Sequence, residues 1–249
     1  MLEKVLKKYS KNVYGIIQVG AHIGQQVEIF LKFKNINIYL FEPQKEPLKI
    51  LKKYDSYPNI YIFNFGLGNK NSNEKLFISN KKNGASSSVL KPKLHKKYFP
   101  EVQFSDYETI EIKKFSNLKN ISANFLMLDV QGYELEVLKG FDKRIEGIDF
   151  IYSEISIEEF YEGNTLISDL DNYLFSKGFI RKNTFLYSNI PMGDALYIRK
   201  IYLNKLSLIF YKIKARFQIG KLYRSINFFS NRKKFIFVMK NKIKKILKN

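Results

Sequence analysis

The sequence contains no cysteine in 249 residues, which removes a disulfide framework, thiolate-bound zinc, an iron–sulfur cluster and a thiol nucleophile from consideration. Histidine occurs only at His22 and His95, so any imidazole chemistry rests on those two positions. No apolar run approaches the roughly 18 residues of a spanning helix. The opening Met1-Leu2-Glu3-Lys4 alternates charge where a signal peptide would be apolar, so a cytoplasmic location is the expectation. No internal repeat is visible. Acidic residues stop abruptly: from Lys200 to Asn249 there are 15 Lys and Arg and no Asp or Glu. The preceding 199 residues carry 28 basic against 23 acidic side chains, so most of the formal +20 belongs to the last fifth of the chain. A basic total of this kind does not by itself indicate a nucleic-acid binder. Frequent Lys, Asn, Ile, Tyr and Phe also fit an AT-rich coding sequence.

What is present is ordinary globular material, 45% hydrophobic and 27% charged. Residues 2–9 have helical spacing. Apolar strand-like segments at 15–19, 36–41, 60–65, 123–129, 148–154, 179–187 and 194–199 alternate with helical stretches at 24–34, 44–54, 133–140 and 165–177. That alternation predicts an α/β domain around a mostly parallel sheet. Between 74 and 115 the pattern weakens to a short strand at 75–79, a loop rich in Gly, Ser and Asn, and a basic segment flecked with aromatics. Loops of such length in compact domains are usually functional or mobile.

The first strand runs into Gly20-Ala21-His22-Ile23-Gly24-Gln25 and then a helix, the place where a doubly wound sheet holds a nucleotide. A tight turn with no ligand is the alternative. The second strand ends in Glu42-Pro43, putting an acid 22 residues beyond Gly20, at the spacing from which a carboxylate accepts both ribose hydroxyls. His22 stands where a second Gly would approach a pyrophosphate, which disfavours a dinucleotide and favours an adenosine ligand without one. S-adenosylmethionine is such a ligand. Otherwise Glu42 is a surface acid. The strand 124–128 delivers Asp129-Val130-Gln131-Gly132 and then a helix. Asp129 at this edge either holds the amino-acid end of the donor, takes a proton from an acceptor hydroxyl, or caps the helix. The next strand places Glu154 at the same edge, beside Asp129. Two carboxylates and a histidine of undetermined position make a thin case for a divalent cation, and no metal is expected.

Together, Val19 to Gln25, Phe41-Glu42-Pro43, Leu128 to Gly140, Glu154 followed by Tyr161-Glu162-Gly163, and Gly193-Asp194-Ala195-Leu196-Tyr197 resemble the FkbM family of S-adenosylmethionine-dependent methyltransferases, over about residues 12–200. The resemblance implies a Rossmann-like methyltransferase fold with a terminal antiparallel strand, and O-methylation of a sugar or polyketide-type hydroxyl, often in surface-glycan or lipopolysaccharide synthesis. It also implies that Gly20, Ala21, Gly24 and Gln25 form the donor loop, with Glu42 as ribose contact and Asp129 with Gln131 at the crevice edge. His22, Pro43 and Gly66 complete the expected donor contacts. Many members carry Glu where this chain has Gln131, so a charge beside Asp129 is lost, which weakens an acid-pair or metal mechanism.

His95 is either a general base on a closing loop or a solvated loop residue. Ser86, Ser87 and Ser88 either hydrogen-bond sugar hydroxyls or form a flexible loop; Tyr161 either stacks on a pyranose or packs in the interior. Residues 1–200 are expected to form the catalytic domain, and 201–249 a basic amphipathic helical tail suited to an anionic membrane surface. A partner glycosyltransferase or a second copy of the chain, as in a homodimer, is the alternative partner for that tail. A nucleic-acid methyltransferase is disfavoured because Asp129-Val130-Gln131-Gly132 is not the Asn/Asp-Pro-Pro-aromatic run of enzymes acting on base amines. A non-catalytic donor-binding scaffold is the third alternative.

Overall fold

The computed structural model describes residues 1–80 and 82–200, so the expected tail at 201–249 lies outside the described residues. Seven strands form the main sheet. In chain order they are β1 (Gly15–Val19), β2 (Asn37–Phe41), β3 (Ile60–Phe63), β7 (Phe125–Leu128), β8 (Phe150–Ser156), β9 (Phe179–Leu186) and β10 (Met192–Arg199). Their spatial order is β3-β2-β1-β7-β8-β10-β9. All neighbours are parallel except β10, which runs antiparallel to both β8 and β9. The chain winds outward from β1 to β3 in one direction and from β7 in the other. A crevice therefore opens above the carboxyl ends of β1 and β7, where the winding reverses.

Strand side chains alternate between the two sheet faces. Ile16, Ile38, Phe125 and Phe150 meet Leu2, Val5 and Leu6 of α1 (Leu2–Tyr9) in one buried cluster. Opposite, Val137 and Leu138 of α5 (Glu134–Gly140) are fully buried, and the Phe115 and Phe141 rings stack 4.0 Å apart. The strands β4 (Gly66–Leu67), β5 (Ser72–Ile78) and β6 (Asp106–Lys113) form a second, three-stranded sheet around Leu76, Ile110 and Ile112.

Most expected elements occur with ends shifted by a few residues, including α3 (Lys45–Leu51) and α6 (Ile167–Ser176). Two differences matter. The helix expected at 24–34 shrinks to α2 (Val27–Phe30), because the flanking amides of Val27, Ile29, Lys32 and Phe33 bond three residues back and tighten the chain into turns. Strand β6 lies in the segment that sequence left irregular, since Asp106, Tyr107, Glu108 and Glu111 mask an inward face of only Ile110 and Ile112. Among the described residues, no helix is long and apolar enough to cross a membrane.

Candidate functional site

The crevice is a cleft open to solvent, with about 760 Å³ of space between its walls when that open solvent is counted. One wall is the turn after β1. Gly20 takes φ +78°, and a Cβ there would lie 1.9 Å from the Asp129 carbonyl oxygen, so only glycine lets β1 and β7 close at this point. The turn is fastened to β2: the amides of Gly20 and Ala21 both donate to the Phe41 carbonyl at 3.0 Å, and that of His22 donates to Glu42 Oε2 at 2.7 Å. These N–H groups do not form the open amide nest expected from a strand-to-helix turn.

Glu42 is 2% exposed and lines the cleft. Its second oxygen accepts the Gln44 amide at 2.8 Å. Burial raises its pKa to about 7, against the lowering effect of those two backbone bonds. Each oxygen thus has one fixed N–H donor and a remaining lone pair, an arrangement suited to two neighbouring hydroxyls.

The opposite wall comes from β7 and β8. Val19 is in register with Phe41 and Leu128, and Leu128 with Ser153, so the next positions, Glu42, Gly20, Asp129 and Glu154, form one row along the sheet edge. Asp194 of β10 continues the row opposite Glu154. Between Asp129 and Glu154 stands the Gln131 amide: Nε2 donates to Asp129 Oδ1 at 2.8 Å and to Glu154 Oε2 at 2.9 Å. Tyr161 Oη lies 2.9 Å from Gln131 Oε1 and 2.8 Å from the Ser86 carbonyl, both within reach of its hydroxyl proton. Ionised carboxylates only accept, which orients the amide with Nε2 toward the acids and Oε1 toward Tyr161. Burial raises Asp129, while the Gln131 bond and His22 oppose the rise; Glu154 is pushed well up by burial, then by Asp129, Glu134 and Asp194. Glu134 is buried beneath the turn, accepts the Gly132 amide at 3.1 Å and the Val130 amide at 3.3 Å, and is raised by burial to about 7.

The family model described as methyltransferase FkbM domain matches residues 18–181, a span that includes both walls of this cleft. The chain belongs to the FkbM methyltransferase family. The matched region is a methyltransferase domain of that family. The 2-O-methyltransferase NoeI of Sinorhizobium fredii (strain NBRC 101917 / NGR234) is 24% identical over 159 residues. That match covers 59% of this chain and 65% of NoeI, slightly less than two thirds of its length. Among solved structures, a methyltransferase FkbM from Methylobacillus flagellatus KT has a TM-score of 0.51 at 16% identity, over 74% of this chain and 43% of that one. A SAM-dependent methyltransferase from Aquifex aeolicus has a TM-score of 0.45 at 13% identity, over 79% and 88% of the respective chains.

In this FkbM domain, Gly20, His22, Gln25, Glu42, Pro43, Gly66, Asp129 and Gln131 line the cleft. Ala21 and Gly24 do not; Ala21 is fully buried, and Gly24 at φ +83° backs onto Tyr54 and Leu51, where a Cβ would come within 2.7 Å and 2.9 Å. His22 links two loops. Its Nδ1 accepts the Gln25 amide at 2.7 Å, which leaves Nε2–H to donate to the Asn83 carbonyl at 2.8 Å.

The serine run is ordered by its own bonds. Ser87 Oγ accepts the Ser79 amide at 3.0 Å, and Ser88 Oγ donates to the Gln131 carbonyl at 2.8 Å. The Ser86 amide donates to Ser79 Oγ at 3.2 Å. Ser87 and Ser88 line the cleft while these bonds hold the loop over it, and Ser86 lies outside the lining. Tyr161 is 1% exposed, so its ring packs in the interior and is not offered to a sugar.

His95 is neither a solvated loop residue nor part of the cleft. It opens the short α4 (His95–Tyr98), is 3% exposed, and packs against Phe99, Phe104 and Tyr161. Its Nδ1 has no partner among the described residues, and burial lowers its pKa. Glu154 reaches the cleft only through Gln131.

Sequence reasoning missed the apolar wall, formed by Leu67, Leu76, Val89 and Ile110, and the polar contribution of Gln26 and Gln44. The wall belongs largely to the small sheet. The alternation of Ile110 and Ile112 with acids was the one local signal for it.

Proposed function

We propose that this domain transfers a methyl group from S-adenosylmethionine to a hydroxyl of a sugar or glycan acceptor, such as a surface-polysaccharide or lipopolysaccharide precursor. The observation that carries this reading is the pairing of two carboxylates in one cleft, the buried Glu42 on one wall and the half-buried Asp129 on the other, each with part of its hydrogen-bonding capacity already oriented by the protein. The donor fits: the Glu42 carboxylate suits a vicinal diol, and the wall of Leu67, Leu76, Val89 and Ile110 suits a flat apolar ring.

The bound donor supplies an electrophilic methyl on a sulfonium, which needs an aligned nucleophile at short range. Glu42 holds the ribose end through two charge-assisted bonds. Asp129 Oδ2, with no partner among the described residues, takes the acceptor's hydroxyl proton as the new C–O bond forms and the S–C bond breaks. The raised pKa of Asp129 makes it a stronger base than an exposed aspartate. Support for a hydroxyl as the acceptor group comes from the relative named as a 2-O-methyltransferase. Among the described residues, the cleft lining includes Glu42 and Asp129 and no Lys or Arg, which favours a neutral hydroxylated acceptor over a phosphodiester.

The acid-free segment 201–249 suits an anionic membrane carrying a lipid-linked acceptor. The test is transfer of isotopically labelled methyl into glycan extracts, read by mass spectrometry. Label in a glycan fraction supports the reading, and label in RNA or DNA alone sinks it.

A further inference from the structure

Gln131 is the most heavily engaged polar side chain at the cleft. Its backbone takes φ +52°, a left-handed conformation that a non-glycine residue holds only when its surroundings fix it. The surroundings do so. The Ser88 hydroxyl donates to its carbonyl at 2.8 Å, the Tyr161 hydroxyl lies 2.9 Å from its amide oxygen, and both amide hydrogens are directed at carboxylates. Glu134 receives the amides on either side of it. The group bridging Asp129 and Glu154 is a neutral amide.

Two half-buried carboxylates one strand apart repel, and such a pair tends to swing apart or to take up a proton. The amide gives each acid one N–H and opposes the rise in pKa at Asp129. It also leaves Asp129 with one oxygen committed to the protein and the other open to the cleft.

We propose that Gln131 is a positioning residue: its side-chain amide clamps Asp129 and Glu154 as a hydrogen-bonded pair and thereby aims the open Asp129 oxygen at the acceptor hydroxyl. The inference rests on the reading of this cleft as a methyl-transfer site. The clamp makes an amide, and not merely the right number of charges, the requirement at position 131. The other titratable groups facing the pair are His22 from the turn after β1, Glu134 from α5, Asp194 from β10, Tyr187 just after β9, whose hydroxyl donates to Asp194, and Tyr161; among the described residues none of them donates a hydrogen bond to either carboxylate.

Three variants of the full chain test it, each first checked for folding by thermal melting and for donor binding by calorimetry. Gln131→Leu keeps the volume and loses every amide bond. It is expected to lose at least about tenfold in kcat, and to lose more in kcat than in affinity for S-adenosylmethionine. Gln131→Glu can donate to only one of the two acids, and only when its own carboxyl carries a proton, so its rate should fall as pH rises where the wild-type rate levels off. The double variant Gln131→Glu with Glu154→Gln has the wild-type charge count but no N–H donor for Asp129, and is expected not to recover activity. Rescue by this double variant, or an unchanged kcat in Gln131→Leu, would overturn the clamp.

A readout independent of turnover is the carboxyl carbon-13 titration of Asp129 by NMR, which should move to higher pH in Gln131→Leu. A titration that stays in place overturns the clamp even if no acceptor is ever methylated. Absence of transfer by the wild-type protein would instead count against the methyl-transfer reading alone.

Discussion

The carboxylate of Glu42 accepts the backbone N–H of His22 at 2.7 Å, so the acid ending β2 is tied to the turn ending β1. A surface acid would rotate freely, whereas this one is held with its oxygens at the cleft. The bond also explains how a carboxylate remains buried in a fold with no cation beside it: two backbone donors partly replace its water.

Replacing Glu42 by Ala should weaken S-adenosylmethionine binding by tenfold to a hundredfold, about 1.4–2.8 kcal/mol, as judged by calorimetry. Because Glu42 titrates at about 7 without donor and accepts hydroxyls best when ionised, wild-type affinity should rise with pH up to about 7 and then level. Glu42→Gln should flatten that rise. Affinity unchanged in both variants would remove Glu42 from the donor site.

Stability should move the opposite way. Glu42 and Glu134 keep their protons up to about pH 7 in the folded state but lose them near 4.5 when unfolded. Between those values the native state binds more protons, so stability fully present below pH 4.5 is lost as pH rises to 7, by up to about 3 kcal/mol per group. Exposed acids with lowered values, Glu3, Glu74 and Asp142, act in the opposite sense only below about pH 4.5. Denaturant melts of Glu134→Gln across pH 5–8 should show a shallower fall than the wild type; an equal slope would contradict this origin.

Gly20→Ala should destabilise the domain by roughly 2–4 kcal/mol, because the new methyl meets the Asp129 carbonyl at 1.9 Å in a backbone region that side chains avoid. The same clash shifts Asp129, so transfer should fall more than donor binding. Equal losses in both would show that the strain stays on the β1 side.

His95→Leu removes a buried ring whose Nδ1 has no described partner and fills a similar volume among Phe99, Phe104 and Tyr161. The variant should retain transfer within about threefold and stability within about 1 kcal/mol. A loss of a hundredfold or more in kcat, with folding intact, would restore His95 as the base.

Much of this protein was determined by local sequence. Strand period, the glycine turn after β1 and acids at strand ends depend on neighbours within a few residues. They therefore announced the α/β sheet, Glu42 and Asp129 directly. The bridging of Asp129 and Glu154 by Gln131, the anchoring of Ser88 on Gln131 and the retreat of His95 behind Tyr161 depend on residues 23 to 66 positions apart. No local pattern encodes those distances. The apolar wall likewise exists only because β6 pairs with β4 and β5 across some 40 residues, turning a polar-looking stretch into half of a binding surface. Sequence chose which groups stand at the sheet edge; only packing decided which of them are buried, paired and open to a ligand, because desolvation and hydrogen-bond partners are properties of the assembled interior.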